Sequence, residues 1–339
     1  MLVFVVAGVV TDRGIANRTI PDPGTFVPAY RSFQEFLAGQ KLRQVDDHRG
    51  FPDVFLGNSR TLFGVDPATF DAQASARGID TRSYNLAMPT IDARFWPLFF
   101  EQYYGKRAPK RVMYGISARD VAADNDTAAA YQAAFRASPG FQNRDRTDIW
   151  KWSEELLAQL YTLRGRVEET SRFNRPDFFR LSGQRDRLRQ YTISGSRGFS
   201  PFPARYTKPA SVLRRERDRG ADRYAGKRLL PGRDRVEALE ELYRWTRAHG
   251  GCLTFFSLPV LYDHDPWGGE AVRRDFVRFM GEFVRTHEGT QFVNVGEEGR
   301  ARYAVTDYGD GDHLNASGAR RFSRDLADSL APTLPRDCS

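Results

Sequence analysis

Asp53-Val-Phe-Leu-Gly57-Asn58-Ser59-Arg60-Thr61 is a short apolar run that stops at Gly-Asn and then presents a serine. The run predicts a buried strand over 53–56. Gly57 permits a tight backbone turn at its end, so Ser59 falls near the start of the helix that follows. The same rhythm recurs outward from this stretch. A helical pattern lies within 62–77 and stops at Gly78. A strand over 83–86 precedes a helix over 90–104, where Ile91, Phe95, Leu98, Phe99 and Tyr103 recur at helical spacing. A third strand covers 111–116. The pattern resumes with a helix over 234–248, a strand over 252–259, a helix over 269–287, a strand over 291–295 and a last helix over 316–330. Five short strands alternating with helices predict a three-layer α/β/α, flavodoxin-like parallel sheet with helices on both faces.

The rhythm is interrupted between 121 and 233, which reads as a largely helical, Arg-rich insertion. Within it, 147–172 carries Trp150, Leu156, Leu157, Leu160, Leu163 and Val167 on one helical face, the pattern of a helix packed on a larger domain. Residues 193–232 hold little apolar periodicity but include Gly198-Phe-Ser-Pro-Phe-Pro203. They read either as an excursion covering a site or as a surface loop. The expected organisation is an N-terminal extension over 1–50, an α/β domain from 51–120 and 234–335, and the insertion over 121–233.

Charged residues make up 28% and apolar residues 40% of the 339, a composition that fits a globular protein rather than a disordered one. The net charge is +8, and of 51 basic residues only six are Lys. Such a surface suits anionic glycans or lipid headgroups. No nucleic-acid motif, and no basic run interleaved with stacking aromatics, points to nucleic acid. The five histidines and two cysteines form no metal-ligand spacing, so a structural zinc site is not expected, and the sequence as read implies no other metal and no organic cofactor. Cys252 opens an apolar run and reads as a buried core thiol, and Cys338 as a free one. The apolar stretch over 1–10 is too short to span a bilayer, which takes about 20 residues. It reads either as a buried strand or as the stub of a membrane anchor that begins upstream.

Near the other end stands Asp310-Gly-Asp-His313-Leu-Asn-Ala-Ser-Gly318. A serine hydroxyl attacks poorly until an imidazole takes its proton, and that imidazole needs an acid to fix its tautomer. Asp310 precedes His313 by three residues, so one loop can present both; Asp312, adjacent to His313, is expected to point elsewhere and is the second candidate. A plainer reading makes Ser59 a helix cap, and 310–318 a turn and helix entry capped by Asn315 or Ser317.

With Gly57-Asn58-Ser59 after the first strand and Asp310-x-x-His313 before the last helix, the chain resembles the SGNH (GDSL-like) hydrolase superfamily. The likeness covers roughly 50–120 and 250–330. Its wording is most similar to membrane-associated, extracytoplasmic SGNH-like proteins that accompany polysaccharide or cell-envelope acylation. The resemblance implies Ser59 as nucleophile, His313 as general base and then acid, and Asp310 as its orienting acid. It implies an oxyanion hole from the N–H groups of Ser59 and Ala87, with Ser117 as a third donor. Ala87 stands where the family carries glycine, and Ser117 where it carries asparagine. Asn58, Arg60, Arg119 and His264 are candidate substrate contacts, Arg60 being equally suited to pair with an acid such as Asp120. The implied activity is ester hydrolysis or acyl transfer on a glycan or envelope polymer, with an acyl donor and a membrane acyltransferase as partners. A catalytically weak carbohydrate- or partner-binding module in an envelope assembly is the alternative, and a cytoplasmic esterase a third.

Overall fold

A computed structural model of the chain describes residues 51–89, 91–103, 108–123, 197–202, 207, 211–212, 215, 218, 226–261, 269–298, 303–334 and 338. The chain divides into two compact units, Leu37–Ala130 with Tyr191–Ser339, and Met1–Phe36 with Tyr131–Gln190. Every described residue belongs to the former. The expected N-terminal extension and the amphipathic helix over 147–172 lie outside the described residues.

Five parallel strands form one sheet: β1 (Asp53–Gly57), β2 (Ser83–Asn85), β3 (Arg111–Gly115), β4 (Cys252–Phe256) and β5 (Thr290–Val293), in the order β2-β1-β3-β4-β5. Helices flank it: α1 (Ser59–Gly64), α2 (Pro67–Ala76), α3 (Phe95–Tyr103), α4 (Ala118–Val121), α5 (Arg233–Ala248), α6 (Glu270–Thr286), α7 (Val295–Glu298) and α8 (Ala316–Leu330). The α/β class and parallel sheet read from the sequence are what the chain adopts. β1, β3 and β4 are buried along their whole length, which is why they read as continuous apolar runs.

Side chains alternate between the two faces. Phe55, Met113 and Phe256 pack with Phe70 of α2 and with Phe322 and Leu326 of α8. On the other face Tyr114 meets Trp96 of α3 and Phe255, and Phe255 meets Phe283 of α6 edge-on. At the lower end of the sheet, Asp53 and Arg111 stand opposite each other in the β1–β3 register. Arg111 Nη2 donates to Asp53 Oδ2 at 2.9 Å, compensating two charges that the sheet buries.

The expected helix within 62–77 is two helices. Asp66-Pro67 divides it: proline fits the first helical position but restricts the residue before it, and the Asp66 carboxylate accepts from Ala68 N as the N-cap of α2. The short α1 therefore turns away from α2 and keeps its N-terminus at the upper edge of the sheet.

The reading of the cysteines is corrected. Cys252 and Cys338 form a disulfide, with Cα atoms 5.2 Å apart and 86 residues of separation. The pairing was invisible because it depends on α8 returning the chain to the foot of β4. A cross-link of this span restricts the unfolded chain. Replacing both cysteines with alanine should lower the unfolding free energy by roughly 2–5 kcal/mol. Urea midpoints with and without reductant measure this; identical midpoints would refute the cross-link.

Candidate active site

The sheet order reverses between β1 and β3, and in open parallel sheets ligands bind at the carboxyl ends of the strands beside such a switch. Ser59 follows β1 and Ser117 follows β3. Two glycines allow the close approach there. Gly57, at φ +145°, lies in a region that side-chain-bearing residues rarely enter, and it pairs with Gly115 in register. A Cβ on either would strike Thr61 Oγ1 of α1.

Asn58, not Ser59, caps α1. Its side-chain oxygen accepts from Arg60 N at 2.9 Å. Ser59, the first helical residue, is left with its hydroxyl directed elsewhere, and the plainer reading of it as a cap does not hold. Its Oγ lies 2.9 Å from His313 Nε2, across 254 residues of sequence. His313 Nδ1 lies 3.0 and 2.9 Å from the two oxygens of Asp310. Asp310 also accepts from Asp312 N at 3.0 Å and His313 N at 2.8 Å, which clamps the loop around the imidazole. Burial would raise the Asp310 carboxyl, but the His313 hydrogen bond and charge and these two N–H groups outweigh it and lower it to about 2.

Asp312 does not point elsewhere. Its Oδ1 lies 3.2 Å from His313 Nδ1, and its Oδ2 lies 3.5 Å from Arg60 Nε. The acid loop is short and tight: Gly309 N donates to His313 O, and Leu261 N to Gly311 O. Asn315 caps α8 by accepting from Ser317 N and Gly318 N, while its Nδ2 donates to Thr306 O and Tyr308 O. One side chain therefore fixes both ends of the loop.

Two aromatic contacts escaped the sequence reading. Phe63 meets the His313 ring edge-on at 5.2 Å, and Phe202 stacks on it at 5.3 Å with a 10° interplanar angle. Phe202 belongs to the Pro-rich run in the 193–232 excursion. Asn85 N donates to Arg197 O, and Ser200 N to Leu62 O, so residues 197–202 lie against the site. The aromatics of that run were the available signal.

The oxyanion candidates fare differently. As the first residue of α1, Ser59 has a backbone N–H with no acceptor within its helix. Ala87 N donates to Asn85 Oδ1 at 3.0 Å, and Asn85 Nδ2 holds Thr61 O and Val65 O at the end of α1. The hydroxyl proton of Ser117 goes to Asp120 Oδ2 at 2.6 Å, and Ser117 N donates to the same oxygen at 2.9 Å. In this arrangement Ala87 and Ser117 therefore use their donors within the fold, contrary to the expectation that they face an oxyanion. Arg119 is half-buried on α4, one residue from Asp120. His264 lies outside the described residues.

Asp120 is a buried hub. Both its oxygens accept from Asn58 Nδ2, at 3.2 and 3.1 Å, so it supports the cap that begins α1. Burial raises its carboxyl to about 6; the Ser117 hydrogen bonds and the Arg60 charge lower it, and Asp92 raises it. Among the described residues, Asp310, Asp312 and His313 form the one grouping of metal-ligating side chains, with donor atoms within 4.8 Å of one another. Both imidazole nitrogens are engaged, one by the carboxylates and the other by Ser59. The donor set fits acid–base chemistry. A comparison with known protein families and with curated proteins finds no match to this chain.

Because the folded-state carboxyl of Asp120 is raised above its ordinary 3.8, its contribution to stability is full below pH 4 and is lost as pH rises through about 6. Asp120→Asn should abolish that slope. The wild-type minus Asp120→Asn unfolding free energy should fall by about 2–3 kcal/mol between pH 4 and 7, as read from urea titrations. A difference that stays constant with pH would contradict it.

Proposed function

We propose that the protein is a serine-dependent acyl-transfer enzyme of the SGNH (GDSL-like) type, an esterase or O-acyltransferase acting on a glycan or envelope polymer. The observation that carries this is the line Ser59 Oγ–His313 Nε2–His313 Nδ1–Asp310, with 2.9 Å at its serine end and 2.9–3.0 Å at its acid end. Asp310 holds the Nδ1 proton, which leaves the Nε2 lone pair for the serine. As Ser59 Oγ attacks the acyl carbonyl, its proton passes to Nε2. The imidazolium then returns that proton to the departing alkoxide, leaving the acyl group on Ser59. Water or a sugar hydroxyl, deprotonated by the same imidazole, releases it. The N–H of Ser59, at the positive end of α1, meets the developing oxyanion.

A second reading keeps the fold as a carbohydrate- or partner-binding module with weak catalysis. It draws on the internal hydrogen bonds of Ala87 N and Ser117 Oγ, since losing one oxyanion donor costs about 10²–10³ in turnover. An extracytoplasmic location accords with the Cys252–Cys338 disulfide, because such bonds persist in oxidising compartments. Among the described residues no helix is long and apolar enough to cross a membrane. A membrane acyltransferase partner remains part of the proposal, not of the fold.

An activated fluorophosphonate should label wild-type protein stoichiometrically at Ser59. Ser59→Ala should abolish labelling, and His313→Ala should slow it by at least about 10³-fold. Intact-mass spectra measure both. Folded wild-type protein that neither labels nor cleaves a p-nitrophenyl acyl ester would favour the binding module.

A further inference from the structure

His313 Nδ1 faces two carboxylates, one more than a proton-transfer line requires. Asp310 takes up the loop's own N–H groups and the imidazole. Asp312 Oδ1 stands 3.2 Å from the same nitrogen. A second uncompensated carboxylate would favour the imidazolium and leave less neutral base to accept the serine proton. The nucleophile's own helix supplies the compensating charge. Arg60, directly after Ser59 and 9% exposed, lies with Nε 3.5 Å from Asp312 Oδ2. Its charge also lowers the Asp120 carboxyl, as the smallest of the influences there.

We propose that Arg60 is a positioning residue that couples the nucleophile's helix to the acid loop by offsetting the charge of Asp312, which the loop itself sets beside His313. The proposal rests on the reading of Ser59 as an activated nucleophile. The groups facing the imidazole are Asp310 and Asp312 from its own loop, Ser59 and Phe63 from α1, and Phe202 from the 197–202 segment. Arg60 is thus the cation that tunes the pair. This separates it from a substrate contact, which would change affinity for an anionic group but leave the imidazole's response to pH untouched.

The test is the pH profile of the Ser59 labelling rate with an uncharged fluorophosphonate, measured on the full chain. In Arg60→Met the uncompensated Asp312 should stabilise the imidazolium, so the acid limb moves up by about 0.5–1 pH unit. In Asp312→Asn one carboxylate is lost and Arg60 remains, so the limb moves down. The double variant should fall back between the two. Opposite shifts cannot come from general loosening, which lowers the rate at every pH. Asp312 is partly exposed, so Asp312→Asn keeps the test valid even where Arg60→Met folds poorly. A labelled wild type whose acid limb is unmoved by Asp312→Asn, or shifted in the same direction by both variants, would overturn the proposal. A wild type that fails to label at any pH would instead overturn the nucleophile reading beneath it.

Discussion

The site depends on how closely α1 can approach the end of the sheet. β1 and β3 meet at Gly57 and Gly115, and Thr61 fills the space that two side chains would otherwise occupy. Thr61 Oγ1 donates to Gly115 O at 3.3 Å, so a hydrogen bond fastens the helix to the neighbouring strand rather than to its own. With that contact made, the first turn of α1 lies over the switch point, and Asn58 reaches Asp120 on the β3 side. Without it, the cap and the serine would be displaced together and the cap drawn away from Asp120, because Asn58 and Ser59 are consecutive at the start of α1.

The second half of the site is fixed by quite different means. The acid loop has no regular structure, yet its polar groups are closely accounted for: Asn315 closes its end, Asp310 gathers two of its N–H groups, and Gly309 N meets His313 O. α8 packs its apolar face on α2 and the sheet, which carries that loop to the same edge as α1. Phe63 and Phe202 then restrict the imidazole ring from two directions. Aromatic packing sets the ring plane and hydrogen bonds set its rotation, so the alignment with Ser59 does not depend on Asp310 alone.

Much of this was legible because the elements obey strong local rules. Buried parallel strands read as apolar runs, and Gly57 and the Asp-x-x-His spacing mark turns that few other residues permit. The failures share a physical cause, which is that tertiary partners decide what a local pattern leaves open. Ser59 and Asn58 both suit an N-cap, and only the contact with His313 and Asp120 separates their roles. Ala87 has an N–H that suits an oxyanion hole until Asn85 turns its side chain back to accept it. Cys252 and Cys338 carry no sequence signal of pairing across 86 residues. Asp312, adjacent to His313, is expected from the sequence to point elsewhere, but the loop is tight enough to bring it to the imidazole.

These internal hydrogen bonds bear on what chemistry the arrangement favours. A hydrolase that depends on a strong oxyanion hole needs donors kept free for the substrate, and here Ala87 N and Ser117 Oγ serve Asn85 and Asp120. The proton-transfer side is built the other way, with two carboxylates, a compensating arginine and two aromatic rings around one imidazole. In the reaction proposed above the acyl-serine is an ordinary ester whichever donor formed it, so water and a sugar hydroxyl ask the same of the Ser59 N–H and of the imidazole.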